Sequence, residues 1–569
     1  MRILNKLWVV ALVLVLSASC GDLFELDLQD NPNEVTLDQA GPDFVYNSVQ
    51  LAAIDTWQSF HFISDGLVRY TTTAAFTYTE ALPATTGNGA WNSAYAQMFP
   101  DVQALNAAYA ENPSLEVYAH TANILQAYIM MGLVDFFGDI PWRDALQGTN
   151  VISPTVDLGQ EVYTVADELL TAAITALENT TASSPTNDLF YGGDVTKWVT
   201  CAKTLQLRIG ATTRLIGGAA KMKAIIDAGD FIDDPSEDFQ FAASTERDDP
   251  DSRHPFYPNH YESDDGTYMG NYFMWLMCCE KDTIEDPRIR HYFYRQVRET
   301  RTQVVNAYSC IHSDLPDPEQ TPQWYLDVDP NMPYCVASDE YYGRDHGNGA
   351  GIPPDGPIRT VYGLFPGGGK WDNQSFSGVQ NQGVDGALGE GIAPLVTSYM
   401  VSFYRAEAAL TAGTGEDAKA MLEEGVRGSI DKVRSFEGRI PPAELNYVYA
   451  TDVDGNPLEA NLFIPSDEDV DAYIAAVLNR YDAAGSDNDK LDVVMKEFYI
   501  ACAGNAYEVY NFYRRTGMPL NIQPGIDLSI GDFPRSILYA SDNVNLNSSV
   551  EQKDLSKLIF WDDGSAVLR

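Results

Sequence analysis

Eight stretches of this chain repeat their apolar residues at helical spacing, and they fall in consecutive pairs. The first pair is "WNSAYAQMFPDVQALNAAYAEN" and "PSLEVYAHTANILQAYIMMGLVDFFGD", joined at Pro113. "GQEVYTVADELLTAAITALEN" and "DVTKWVTCAKTLQLRIGATTRL" form the second pair across a polar loop. "PLVTSYMVSFYRAEAALTAG" with "GEDAKAMLEEGVRGSIDKVRS" is the third, and "SDEDVDAYIAAVLNRYDAAG" with "SDNDKLDVVMKEFYIACAGNAYEVYNFYRRTG" the fourth. An amphipathic helix must bury its apolar stripe on a neighbour, so adjacent pairs of this kind predict a mainly α scaffold of four tetratricopeptide-like units. The spacing between pairs is uneven. A segment of about 170 residues rich in Gly, Pro, Asp, Tyr and Trp separates the second from the third. A long irregular insertion with this aromatic content reads as ordered and functional, and the ligand-binding portion is placed at about 236–392.

The other constraint lies at the start of the chain. Arg2 and Lys6 precede an unbroken apolar run from Leu7 to Leu16, followed by the small residues Ser17, Ala18 and Ser19 and then Cys20. That order is a secretory signal over residues 1–19, too short to span a bilayer. The small residues ending on a cysteine read as a lipoprotein box, although Ser17 stands where Leu is usual. Lipidation of Cys20 is favoured over plain cleavage near Ser19, because several acyl chains anchor firmly where one binds only marginally. Residues 20–36, acidic and carrying the turn signal "DNPN", form a tether, and 37–569 a single domain.

A formal charge of −45 repels nucleic acid and anionic lipid, and 45% hydrophobic residues exclude global disorder. No HExxH, paired-His or CxxC spacing occurs, so no metal or cofactor is expected. "GLFPGGGKW" fails as a phosphate loop, because Leu364 replaces the first Gly and Trp371 the Ser/Thr. Asp452, Asp454 and Asn456 start like a calcium loop, but Phe463 stands where the closing Glu belongs, and a simple turn is read instead; "DVDPN" at 327–331 is read the same way. Cys310 and Cys335 flank a Pro- and Asp-rich loop and either bridge or stay as two thiols, whereas adjacent Cys278 and Cys279 are not expected to pair.

Rings beside Asp, Asn and His are what sugar faces and extended peptides dock on. The insertion supplies Tyr257, Tyr261, Trp275, Trp324, Tyr325, Tyr341, Tyr342 and Trp371, with Asp345, His346 and Asn373 as hydrogen-bonding partners. These are the candidate ligand-binding residues. A neutral glycan suits so acidic a chain, and a cationic peptide could be drawn by long-range attraction.

Several segments in order resemble SusD/RagB-type outer-membrane lipoproteins. They are "CGDLFELDLQDNPNEVT", "FFGDIPWRDAL", "EDPRIRHYF", "SFYRAEAAL", "AYEVYNFYRRTGMP" and "FPRSILYASDNVNLNSS…LIFWDDG", with Tyr510, Ser536 and Ala540 as departures. The resemblance implies one α-helical domain on four tetratricopeptide-like units, on a lipoprotein facing the cell surface. It further implies a non-catalytic protein that captures oligosaccharide or peptide and passes it to a SusC-like TonB-dependent transporter. The matching segments are scaffold turns, so the ligand does not carry over. The competing reading is a helical surface glycoside hydrolase with a carboxylate pair, against which the uneven helical spacing counts.

Overall fold

The computed structural model describes residues 41–263, 266–281, 284–298, 321–338, 340–349 and 360–569, so Cys20, the tether and Cys310 lie outside the described residues. It is mainly helical, and each helical pair expected from the periodicity is present. They are α2 (Phe99–Glu111) with α3 (Glu116–Phe137), α4 (Gly159–Leu177) with α5 (Val195–Thr212), α9 (Ser398–Thr411) with α10 (Ala418–Arg434), and α11 (Asp467–Ala483) with α12 (Asp487–Ala501). The two members of each pair pack on one another, and α3 on α4 and α10 on α12 link successive pairs. Side chains start these helices by accepting otherwise unpaired amides: Asp194 caps α5, Asp417 caps α10 and a Ser466–Asp469 box caps α11. The stretch read as one last helix is two, because the chain turns at Gly504 (φ +91°) before α13 (Ala506–Thr516).

The periodicity reading begins its helices at Trp91, yet the longest helix precedes it: α1, Pro42–Leu67, with Pro42 in its first turn. It packs on α3 and α13. The approach to α3 is close enough that a Cβ on Gly132 would lie 2.3 Å from Cε2 of Phe60. Also unread was α6 (Ala219–Ala228), packed on α5.

The insertion carries the short helices α7 (Phe256–Tyr261) and α8 (Asn271–Cys278) and three of the strands. β1 (Phe239–Ala242) pairs antiparallel with β4 (Ile392–Val396), closing the two ends of the insertion together. β2 (Phe293–Arg295) pairs with β3 (Thr360–Tyr362), and β5 (Val448–Thr451) with β6 (Pro457–Glu459). In the β5–β6 turn, Asp452 Oδ1 accepts the amides of Asp454 (2.9 Å) and Asn456 (2.8 Å), the simple turn expected there.

One expectation is overturned. Cys278 and Cys279 are joined by a disulfide, with their Cα atoms 3.8 Å apart. They sit where α8 ends and Cys279 has already left helical geometry (φ −140°), so the strain expected of the pair is not borne by a helix. Cys335 is disulfide-bonded, and Cys201 and Cys502 are buried free thiols. Among the described residues no helix is long and apolar enough to cross a membrane, and no group of His, Cys, Asp and Glu could hold a metal ion.

Candidate functional site

The insertion's rings are where the sequence places a ligand surface, and the structure turns most of them inward. Ten of the eleven candidates are buried: Tyr257, Tyr261, Trp275, Tyr325, Tyr341, Tyr342, Asp345, His346, Trp371 and Asn373. Tyr257 stacks on Tyr261 (centroids 4.8 Å apart), and the Tyr261 hydroxyl donates to the Tyr362 carbonyl. Tyr341 lies beneath the Arg295 guanidinium, Trp371 meets His291 edge-on, and Asn373 donates to the Glu444 carbonyl. Trp275 and Tyr325 belong to the main core. These rings fasten an irregular insertion to a helical scaffold and offer no free face to a ligand. Trp324 differs: it is half-buried, its Nε1 donating to the Gly525 carbonyl at 3.1 Å.

A groove of about 600 Å³ opens at the end of α1 instead. That volume suits a small-molecule or oligomer site. The last turns of α1 present Ser59, Phe62 and Ile63 to it. The helix stops at Leu67, and Arg69 takes a left-handed conformation (φ +71°) that turns the chain back. The amides of Tyr70 and Thr71 then donate to the Asp65 carbonyl. Thr71, Thr72 and Thr73 form the floor with Ala74 and Ala75. The opposite wall is the one-turn helix Tyr78–Ala81, capped by Thr77, with Glu80, Leu82 and Thr86 facing in.

The insertion clamps this floor rather than forming it. The Thr72 amide donates to the Tyr268 carbonyl, and its hydroxyl to the Asp345 carbonyl at 2.9 Å. Gly270 passes so close that a Cβ there would lie 2.1 Å from the Arg69 carbonyl oxygen, and Thr267 reaches the rim. Asp345 and His346 therefore act from behind. Asp345 accepts from Asn271, Gln523 and the Cys335 amide, while His346 Nε2 meets the Tyr78 hydroxyl at 2.8 Å. Burial pushes the Asp345 carboxyl up to about 6 and holds His346 well below its ordinary value.

Phe62, 42% exposed, lines the groove with a face still in solvent, and Phe76, 47% exposed, follows the lining residue Ala75 in the chain. Phe62 is braced edge-on by Phe256 of the insertion. Phe76 abuts Gly349, and the contact continues through Gly347 and Ile530 to Gly525, the residue that holds Trp324. The lining carries six hydroxyl-bearing residues (Ser59, Thr71, Thr72, Thr73, Thr86, Thr267) and neither lysine nor arginine. Its carboxylates are Glu80, whose Oε2 accepts the Phe76 amide, and Asp65. Asp65 is buried and accepts from the Thr71 hydroxyl (2.8 Å) and from the Tyr362 hydroxyl on both oxygens (2.9 and 3.0 Å). Desolvation lifts its carboxyl to about 7, against the pull of those bonds. Beside it His61 is held down to about 3 by burial and by His254. The sequence signal for this site is a run of three threonines two residues before Phe76 and Thr77.

Residues 32–333 match the family model described as "Starch-binding associating with outer membrane", and 392–566 match that of "Susd and RagB outer membrane lipoprotein". Similar solved structures include a SusD/RagB family protein from Bacteroides thetaiotaomicron VPI-5482, 17% identical with a TM-score of 0.65, the match covering 92% of this chain and 99% of that one. A chitin-binding SusD homolog from Flavobacterium johnsoniae is 18% identical with a TM-score of 0.62, over 92% and 98% of the two chains. A SusD homolog from Bacteroides vulgatus ATCC 8482 is 16% identical with a TM-score of 0.58, over the same shares. Likeness at these identities shows a shared fold. No curated protein sequence matches the chain.

Proposed function

Because the chain belongs to the SusD/RagB family of outer-membrane lipoproteins, we propose that it is a non-catalytic surface protein that captures a neutral oligosaccharide in the groove at the end of α1. Anchored through Cys20, it hands the glycan to a SusC-like TonB-dependent transporter. The observation that carries this reading is the lining itself, with six hydroxyl-bearing side chains (Thr71 and Thr72 donate inward and can still accept from a sugar), no cation, and the exposed face of Phe62, while exposed Phe76 follows the lining residue Ala75. Sugar CH faces stack on such rings while hydroxyls exchange hydrogen bonds with threonine and serine. A phosphorylated or carboxylated polymer would find no cation in this lining and two carboxylates, Asp65 and Glu80.

The test is calorimetry on purified mature protein with starch- and chitin-derived oligosaccharides, repeated with Phe62→Ala and Phe76→Ala. Each ring contributes about 1–2 kcal/mol, so each variant should bind at least about fivefold more weakly without loss of helix signal. Unchanged affinity in both variants, or binding of peptides and of none of the glycans, overturns the reading. The hydrolase alternative would draw on Asp65 and Glu80, but both Asp65 oxygens are already held by Thr71 and Tyr362. Release of shorter sugars on incubation would decide for the enzyme.

A further inference from the structure

A second cavity, of about 450 Å³, lies between the turn at residues 284–290 and the start of α11, and shares no lining residue with the groove. Ile284, Pro287, Phe463, Ile464 and Pro465 give its wall an apolar part, with Leu462 at 63% exposure beside them, and charged side chains supply the rest. The β5–β6 hairpin is fastened to this wall by Tyr449 on Phe463 (centroids 4.6 Å apart) and leaves Val448 47% exposed.

The charged groups of the lining are three carboxylates, Glu285, Asp286 and Asp469, and one cation, Arg290. Arg290 is spoken for: its guanidinium lies 3.9 Å over the Phe463 ring and donates to the Asp372 carbonyl and to Gln374. Asp286 is held by Arg288, through Nε at 2.9 Å and Nη2 at 2.6 Å. Asp469 spends Oδ2 on the Ser466 cap. Glu285 feels the charges of Arg290 and Arg295, but its carboxyl and Asp469 Oδ1 accept no hydrogen bond among the described residues. A slot with apolar side chains along it and carboxyl oxygens free of hydrogen bonds complements one kind of side chain, an aliphatic stem with a cationic head.

We propose that this cavity receives a lysine or arginine side chain of a polypeptide partner. The stem packs on Ile284, Pro287 and Phe463, the head pairs with Glu285 and Asp469, and apolar neighbours of the inserted residue rest on Leu462 and Val448. The net charge of −45 draws such a segment toward the protein, and the cavity selects the residue that enters.

The experiment titrates full-length mature protein with a short peptide of alternating leucine and lysine, and with a leucine–serine peptide of equal length, at low and high salt. Glu285→Gln removes the carboxylate that would meet the cationic head, and Ala472→Trp fills the cavity from an exposed position on α11. Glu468→Gln, an exposed neighbour outside the lining, changes net charge by the same amount as Glu285→Gln. The expected result is binding of the lysine peptide alone, weakened about tenfold or more by Glu285→Gln and by Ala472→Trp and less than about twofold by Glu468→Gln. Equal weakening by the two glutamine variants would mean diffuse attraction to an acidic surface and overturn the proposal. So would lysine-peptide affinity that Ala472→Trp leaves unchanged, or no binding at all. Oligosaccharide binding in the α1 groove is unaffected by any of these outcomes.

Discussion

Replacing Asp135 by asparagine exchanges one oxygen for an amino group at a place where four donors converge. Asp135 lies in α3 and is wholly buried. Its Oδ1 accepts from the Tyr163 hydroxyl (2.5 Å) and Trp561 Nε1 (2.8 Å), and its Oδ2 from the Tyr507 hydroxyl (2.6 Å) and Asn511 Nδ2 (2.6 Å). Arg208 stands 3.7 Å away. The new amino group must face one of these pairs. The tyrosine hydroxyl can rotate and accept, but Trp561 can only donate, and Asn511 is fixed as a donor because its oxygen accepts from Arg514 at 2.7 Å. Either choice orphans one buried donor, at about 1–3 kcal/mol, and strips the charge from the remaining bonds, each worth about 1.5–3 kcal/mol when charged and about 1 kcal/mol when neutral. The expected cost is about 3–5 kcal/mol, a large share of the 5–15 kcal/mol that typically holds a domain. Urea unfolding followed by circular dichroism and tryptophan fluorescence measures it. Asp471→Asn is the comparison, since its ion pair with Arg427 is 65% exposed on the Asp471 side and worth less than about 1 kcal/mol. An Asp135→Asn midpoint matching that of Asp471→Asn would refute the argument that this node carries the scaffold.

Stability against pH is set by two opposing groups of buried side chains. His61, His254 and His260 are held down to about 3, 3 and 4 by burial, so their contribution is complete above 6.5 and is lost as pH falls toward those values. Asp65 and Asp345, lifted to about 7 and about 6, run the other way, since the fold keeps them protonated where the unfolded chain ionises, and the stability they give rises as pH falls toward 4. Asp65→Asn should therefore lose about 2 kcal/mol more than wild type between pH 7 and pH 5, at about 1.4 kcal/mol per unit, and parallel profiles would remove Asp65 from this balance. For Cys278 and Cys279, proteolysis of alkylated, unreduced protein should return one peptide carrying both residues unlabelled and lighter by two hydrogens. Label on either sulfur would contradict the bond.

Most helical pairs were legible because their apolar residues recur at helical spacing between clear breakers such as Pro113, although α3 is buried almost all round. α1 was not, because its faces are mixed. It buries Gln50, Thr56, His61, Ser64 and Asp65 and exposes Phe44, Leu51 and Phe62, so no clean stripe marks it. The groove was lost with the helix that supplies its Ser59 and Phe62. The insertion was recognisable as ring-rich, but sequence does not record which face of a ring is covered. Trp371, with no exposed surface, and Trp324, half-buried, look alike in composition and differ only in what packs on them. Peptide strain alone predicts no bond between Cys278 and Cys279, but sequence does not show that the pair falls at a helix end.

The family-like segments that fall among the described residues anchor the scaffold. Asp135, one residue before "FFGDIPW", gathers Tyr507 and Asn511 of "AYEVYNFYRRTG" and Trp561 of "FWDDG". Arg514 of the same helix donates to the carbonyls of Asp135 and Arg535, and Arg535 pairs with Asp562. Glu407 of "SFYRAEAAL" takes Arg515 and Arg214, and Asp286 of "EDPRIRHYF" takes Arg288. A buried charge left without its partner costs several kcal/mol, so each of these residues constrains the others and the set is recognisable across distant chains. Ser59, Phe62, Phe76 and the threonine run lie outside every one of those segments. Removing a groove hydroxyl or ring leaves the Asp135 node untouched, so the proposed ligand surface is free to change while the scaffold stays fixed, and the residues that identify the fold carry no information about the ligand.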